Sequence, residues 1–218
     1  MNKRIVIALA LLIILTTITS QEKITFPKFA LKNINIENNS LLKDREIKML
    51  LLNLYDQNLI FLKNKEIEKA LMKNSFIESF NVKKKYPDTL NLKIFEKKPV
   101  LILQNKKKKF YLSEKTDLIE YKAIQDYENL PYVFGNREDF KIFYKNLKKI
   151  NFPTNIIKKY TLYELNRWDL ETVEKKTIKL PPKNYIKSLK NYLKIKDKKN
   201  FQKYEVFDYR ISDQLILK

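Results

Sequence analysis

The 218 residues carry a formal net charge of +20 and are 44% hydrophobic, which is enough apolar content for a packed core and too much for wholesale disorder. The chain has no cysteine, no histidine and a single glycine, Gly135. That excludes a Cys/His zinc site, a catalytic thiol, a Ser-His-Asp triad and any phosphate-cradling glycine loop. The positive charge is mostly lysine, with arginine only at Arg4, Arg45, Arg137, Arg167 and Arg210, so it reads as a solvated surface rather than an arginine-based nucleic-acid reader.

Residues 1–4 end in Lys3 and Arg4, and an apolar run follows from Ile5 to Ile18, broken only by Thr16 and Thr17. The basic flank holds residues 1–4 in the cytoplasm and points the rest outward, since long domains translocate largely regardless of charge. As a helix, residues 5–20 rise about 24 Å against a hydrocarbon core of about 30 Å. The segment therefore reads as a short transmembrane signal anchor or as a cleaved signal peptide with small residues near Thr17, Thr19 and Ser20. Residues 21–28 form a polar connector containing Pro27.

From residue 29 the periods are those of a small α+β module. Phe29, Leu31, Ile34 and Ile36 suggest a strand with one irregularity. Asn38, Asn39 and Ser40 make a turn, and Ser40 or Asp44 is placed to cap the next helix. Ile47, Leu50, Leu51 and Leu54 follow the spacing of one buried helical face. Asn64 is placed as the N-cap of a second helix, with Glu66 and Glu68 complementing its dipole and Ile67, Ala70 and Leu71 inward. Phe80, Val82, Lys84 and Tyr86 alternate with polar residues, Pro87, Asp88 and Thr89 turn, and Leu90, Leu92 and Ile94 alternate again. The order over 29–98 is β-α-α-β-β.

A second region runs from Val100. Strands are expected at 100–103 and 110–112, at 130–134 before Gly135, and at 160–165, 169–173 and 176–180. A helix capped by Asn136 carries the stripe Phe140, Phe143, Tyr144 and Leu147, and another after Pro181 and Pro182 turns Ile186, Leu189 and Leu193 inward. Residues 194–203 read as a basic loop, and strands at 204–211 and 213–217 end the chain. The lysine runs at 83–85, 106–109 and 198–199 fall at strand ends and tips, where charge discourages edge-to-edge aggregation. The fold class is α+β: an N-terminal transmembrane helix, the β-α-α-β-β module, then a mostly antiparallel β domain with flanking helices. The carboxylates are scattered, no pair is spaced for general acid/base work, and no enzyme activity, cofactor or metal is expected.

The β-α-α-β-β order outside an anchor resembles the POTRA module. Tyr86-Pro87-Asp88-Thr89-Leu90 through Glu96-Lys97-Lys98-Pro99-Val100 resembles the pattern of the bacterial cell-division family FtsQ (DivIB). Leu130-Pro131 with Gly135, Arg167-Trp168-Asp169-Leu170 with Ile178-Lys179-Leu180, and Phe207-Asp208-Tyr209-Arg210 resemble further words of that family in the same order. One departure is the segment Ser113 to Asp117, where the family often has Asp-x-x-Gly and this chain has no glycine.

The resemblance implies a domain layout of a cytoplasmic tail at 1–4, an anchor at 5–20, a connector at 21–28, a POTRA domain at 29–99 and a C-terminal β domain at 100–218. It implies a non-enzymatic divisome assembly protein of the inner membrane, single-pass, with its bulk in the periplasm at the septum. The implied partners are FtsB and FtsL, with no nucleic acid. The last strand is the expected contact: Arg210, Ile211, Ser212, Asp213, Gln214, Leu215, Ile216 and Leu217, with backbone groups giving affinity and alternate side chains specificity. Arg210 is placed to pair with a partner carboxylate, and the POTRA domain is a second candidate surface. The competing reading is a secreted POTRA-containing module for envelope assembly or chaperoning, which a cleaved N-terminus would favour.

Overall fold

The computed structural model describes residues 3–17, 27–106, 108–211 and 214–218. The first element is α1 (Lys3–Thr17), 15 residues without an acidic side chain. At 1.5 Å per residue it rises about 22 Å. No helix among the described residues is long and apolar enough to cross a membrane. The remaining residues of the expected anchor, 18–20, and most of the connector lie outside the described residues.

The chain divides into two compact units, residues 1–73 with 80–94, and residues 74–79 with 95–218. In the first, β1 (Asn33–Glu37) leads to α2 (Asp44–Leu50), a 3-10 turn at Leu52–Leu54 and α3 (Asn64–Leu71). The hairpin of β2 (Ile77–Lys85) and β3 (Thr89–Glu96) comes next. This is the expected β-α-α-β-β order. The sheet order is β1-β3-β2, with β1 parallel to the central β3 from Asn33 opposite Thr89 to Glu37 opposite Lys93. Ile34, Ile47, Leu51, Ile67, Leu71, Leu90, Leu92 and Ile94 are buried, so the helical and two-residue periods converge on one core.

Of the expected caps, Asp44 and Asn64 lie one residue past the observed N-caps, and Ser40 lies three before the first of them. Lys43 and Lys63 occupy the N-cap positions, and Asp44 and Asn64 are the first helical residues. At Lys43 the backbone N–H donates to the Glu46 carboxylate at 3.1 Å, the return half of a capping box.

The second unit is built on one sheet in the order β12-β11-β10-β9-β8-β7-β4-β5-β6. In chain order these strands and their helices are β4 (Pro99–Asn105), β5 (Lys108–Ser113), β6 (Leu118–Glu120), β7 (Tyr132–Phe134), α4 (Arg137–Lys149), β8 (Ile157–Tyr163), β9 (Arg167–Thr172), β10 (Thr177–Lys179), α5 (Tyr185–Ile195), β11 (Val206–Asp208) and β12 (Ile216–Leu217). The β7 strand lies parallel to both β4 and β8, and β11 lies parallel to β10 across the α5 connection; the other ladders are antiparallel.

One sheet face is covered by α4 and α5. Phe140, Phe143 and Leu147 from α4 and Leu189 and Tyr192 from α5 are buried with Val133, Tyr160, Trp168, Leu170, Ile178 and Phe207. Phe143 stacks on Trp168 with centroids 4.9 Å apart, and Phe140 meets Tyr160 edge-on at 5.3 Å. The Asn136 side chain accepts from the Asp139 N–H at 2.9 Å and caps α4, as its sequence position implies.

Gly135 sits between β7 and this cap, where an added Cβ would meet the Leu162 Cβ at 2.9 Å. In the turn that lacks the family glycine, Thr116 takes the left-handed conformation at φ 63°. The Ser113 hydroxyl accepts from the N–H groups of Lys115 and Asp117 and holds that turn.

Candidate functional site

The margin of the second unit's sheet is set by residues 206–218. β11 is central to the local ladder, flanked by β10 on one side and β12 on the other. The expected strand 204–211 is shorter because Asp208 turns its carboxylate onto Arg210. Asp208 Oδ1 accepts from the Arg210 backbone N–H at 3.1 Å, and the Arg210 guanidinium returns to the same carboxylate at 2.6 to 3.0 Å. The Tyr209 N–H still donates to the Lys179 carbonyl at 2.8 Å, and the fork then takes the Arg210 N–H that would otherwise continue the ladder. The Gln214 N–H donates to the Ile211 carbonyl at 3.2 Å, the chain reverses, and only Ile216–Leu217 return as β12.

The expected contact residues are therefore not one continuous strand. Arg210 and Ile211 form the exit turn, Gln214 and Leu215 lead back, Ile216 and Leu217 are the strand, and Ser212 and Asp213 lie outside the described residues. Arg210 does not stand alone, since it is paired to Asp208 and keeps 43% of its side chain exposed. Ile211 and Ile216 are 52% and 38% exposed, whereas Leu215 and Leu217 pack partly against the core.

β12 is a true sheet margin, with β11 as its one neighbour in the order. Val206 and Lys218 exchange two backbone bonds, the Lys218 N–H donating at 3.1 Å and the Val206 N–H at 3.0 Å. In an antiparallel ladder the facing direction alternates residue by residue, so Ile216 and Lys218 direct their backbone groups to β11. The N–H and C=O of Leu217 point away from the sheet. An outward pair of this kind is a template for another strand.

Electrostatics at this margin are shaped by pairing and burial. The hydrogen bonds from Arg210 hold the Asp208 carboxyl below its ordinary range, and Asp208 in turn raises the Arg210 guanidinium. Asp169, in cross-strand register with Lys179 and, through it, with Asp208, is pushed upward by burial against the pull of Arg167 and Lys179. Burial also pushes the Tyr192 hydroxyl up to about 12. Beside the margin, an open cleft of about 990 Å3 is lined by Pro182, Asn184, Tyr185, Tyr209, Arg210 and Leu215, among others. Tyr209 donates to the Asn191 side chain at 2.9 Å, and the Asn146 amide donates to the Tyr185 hydroxyl at 2.7 Å. Among the described residues no group of three acidic side chains is gathered to hold a metal ion.

Asp208 falls in the family word Phe207–Arg210 but is not among the expected contact residues, and the Asp-x-Arg spacing there is its signal. Asn191 and Asn146 gave none, because their partners are set by how α5 packs.

Residues 29–97 match the family model described as POTRA domain, FtsQ-type. Such a module, followed in the chain by a helix-backed β sheet, makes this a POTRA-bearing α+β protein. The chain is 31% identical to the protein named Cell division protein FtsQ of Rickettsia conorii over 188 residues, covering 84% of this chain and 69% of that relative. It is 30% identical to the protein of the same name in Rickettsia typhi, over 84% of this chain and 70% of that relative, and 31% identical to that of Rickettsia felis. The chain belongs to the FtsQ family of cell division proteins.

Proposed function

We propose that this chain is a non-enzymatic assembly protein of the divisome that binds FtsB and FtsL in the periplasm by strand addition at β12. In this reading residues 5–20 anchor it in the inner membrane with residues 1–4 cytoplasmic, and the remainder lies outside at the division septum. Family membership supports the role in division. The outward backbone pair of Leu217 on a margin strand is the single observation that supports the site.

A partner strand laid along β12 gains backbone bonds there, while Ile211 and Ile216 supply exposed apolar contact. Arg210, already paired to Asp208, offers the free side of its guanidinium to a partner carboxylate. The lysine surface needs no nucleic acid in this account.

The test places a photo-crosslinking amino acid at 211, 215 and 217 in turn in dividing cells and identifies the captured protein. Capture of FtsB from these positions is the expected result, together with loss of FtsB co-purification when residues 211–218 are deleted from a chain without the crosslinker. Undiminished co-purification of FtsB with the truncated chain rejects the site.

A further inference from the structure

Three segments of the first unit meet where the chain enters it. The Leu59 N–H donates to the Phe29 carbonyl at 2.8 Å, the Leu31 N–H to Gln57 at 2.9 Å, and the Asp56 N–H to Leu31 at 3.0 Å. The Lys32 N–H donates to the Asp88 carbonyl at 2.9 Å, which brings in the β2–β3 turn. From the same hairpin Lys84 Nζ donates to the carbonyls of Leu62 at 2.6 Å and Ile60 at 3.4 Å, clamping the loop between the 3-10 turn and α3. The Phe29 ring meets Tyr86 edge-on at 6.3 Å.

This entry end displays apolar side chains and cations together. Leu59 and Leu62 are buried and fix the loop, while Ile60 and Phe61 between them are 42% and 62% exposed and Tyr86 is 54% exposed. The segments 27–33, 56–63 and 84–88 hold five lysines (Lys28, Lys32, Lys63, Lys84 and Lys85) against two carboxylates, Asp56 and Asp88. Asp88 accepts a hydrogen bond from the Thr89 hydroxyl at 2.8 Å.

We infer that this end of the first unit docks on the headgroup layer of an anionic bilayer, with Ile60 and Phe61 entering it and Lys28, Lys32, Lys63 and Lys85 facing lipid phosphates. The inference rests on the proposed reading that residues 5–20 anchor the chain. From Thr17 to Pro27 the chain is ten residues long. It reaches at most about 35 Å. The tether therefore keeps the loop at high effective concentration beside the membrane. Aromatic rings with a polar tip and lysine stems with a charged end both suit the headgroup boundary, and anionic lipid attracts clustered lysine.

The absence of cysteine allows single-site labelling of the full chain in proteoliposomes. Probes are attached at Ile60→Cys, at Ala10→Cys in α1, and at Leu165→Cys, an 85% exposed position in the other unit. Quenching by a headgroup nitroxide lipid and by a chain nitroxide lipid is then read. The Ile60→Cys probe is expected to be quenched several-fold more by headgroup nitroxide than the Leu165→Cys probe in phosphatidylglycerol vesicles, and less in pure phosphatidylcholine.

Adding Phe61→Ser lowers that signal. Lys63→Ala and Lys85→Ala each weaken docking about fivefold, the effect of one lysine near an anionic surface. Chain quenching at Ala10→Cys with none above background at Ile60→Cys overturns docking and leaves the anchor standing; no quenching at either overturns both. Equal quenching in the two lipids overturns recognition of anionic charge. An Ile60→Cys probe shielded from a water-soluble quencher but untouched by nitroxide lipid marks a protein contact and overturns the inference.

Discussion

Gly135→Ala tests whether the second unit's sheet and helices are packed as tightly as described. The added methyl would lie 2.9 Å from Leu162 Cβ, 3.3 Å from Leu162 Cδ2 and 3.4 Å from the Trp168 ring. Carbon atoms prefer a separation of roughly 3.5 to 4.0 Å, so the closest contact must open by more than about half an ångström. A rotamer change cannot supply that, because Leu162 Cβ is fixed to the backbone of β8 and opposite Trp168 in the β8–β9 ladder. Trp168 is held in turn under the Phe143 ring of α4.

Overpacking of this kind costs about 1 to 3 kcal/mol. At about 2 to 4 °C per kcal/mol for a chain of this size, Tm falls by roughly 2 to 12 °C. Thermal unfolding followed through the fluorescence of Trp168, the sole tryptophan, reads the transition of this unit. In a Leu162→Gly background the same substitution should cost less, because the closest clashing atoms are gone and the strain of the backbone at φ 159° is what remains. An unchanged Tm for Gly135→Ala, or an equal drop in both backgrounds, would refute the packing argument.

Three further outcomes are expected. Leu217→Ala keeps the outward N–H of β12 and Leu217→Pro removes it, so capture of the partner falls about 2- to 13-fold further with Pro, the worth of one net hydrogen bond; equal capture would remove the backbone from the account. Asn136→Ala removes the α4 cap and costs about 1 kcal/mol, measured by denaturant titration. The Asp208 carboxyl is depressed by Arg210, so its contribution is complete above the unfolded carboxylate range and is lost as pH falls through its lowered folded value. Melting temperature measured from neutral pH down into the acid range should therefore drop less steeply for Asp208→Asn than for the natural chain, with the variant less stable at neutral pH.

Periodicity made the helices of the second unit legible, but not always their rotation. The α4 stripe Phe140, Phe143, Tyr144 and Leu147 is buried as expected. In α5 the buried residues are Leu189, Tyr192 and Ile195, whereas Ile186 and Leu193 sit at the flanks. A tyrosine gives no clear inward or outward signal in sequence. Here its ring meets Phe207 edge-on at 5.1 Å, and that contact turns the helix. β6, three residues long, is too short to carry a period, and the parallel placement of β7 between β4 and β8 is fixed by distant partners that no local pattern encodes.

The site margin shows the same division between local and distant causes. Alternation over Tyr204 to Leu217 made two final strands legible, yet each is shorter than the apolar pattern permits. The limit on β11 is chemical: a carboxylate two residues before an arginine binds both its N–H and its guanidinium, so the Arg210 N–H is not offered to a neighbouring strand. The fork ends β11 beside the residues that pair with β12, Phe207 opposite Leu217 and Asp208 opposite Ile216, and that register sets which residue of β12 faces outward. Moving the fork by one residue would turn the backbone groups of Leu217 inward and those of Ile216 outward. The Asp208–Arg210 pair is therefore a register device for the margin, and its loss should alter which residue of β12 crosslinks to a partner strand before it alters whether the domain folds.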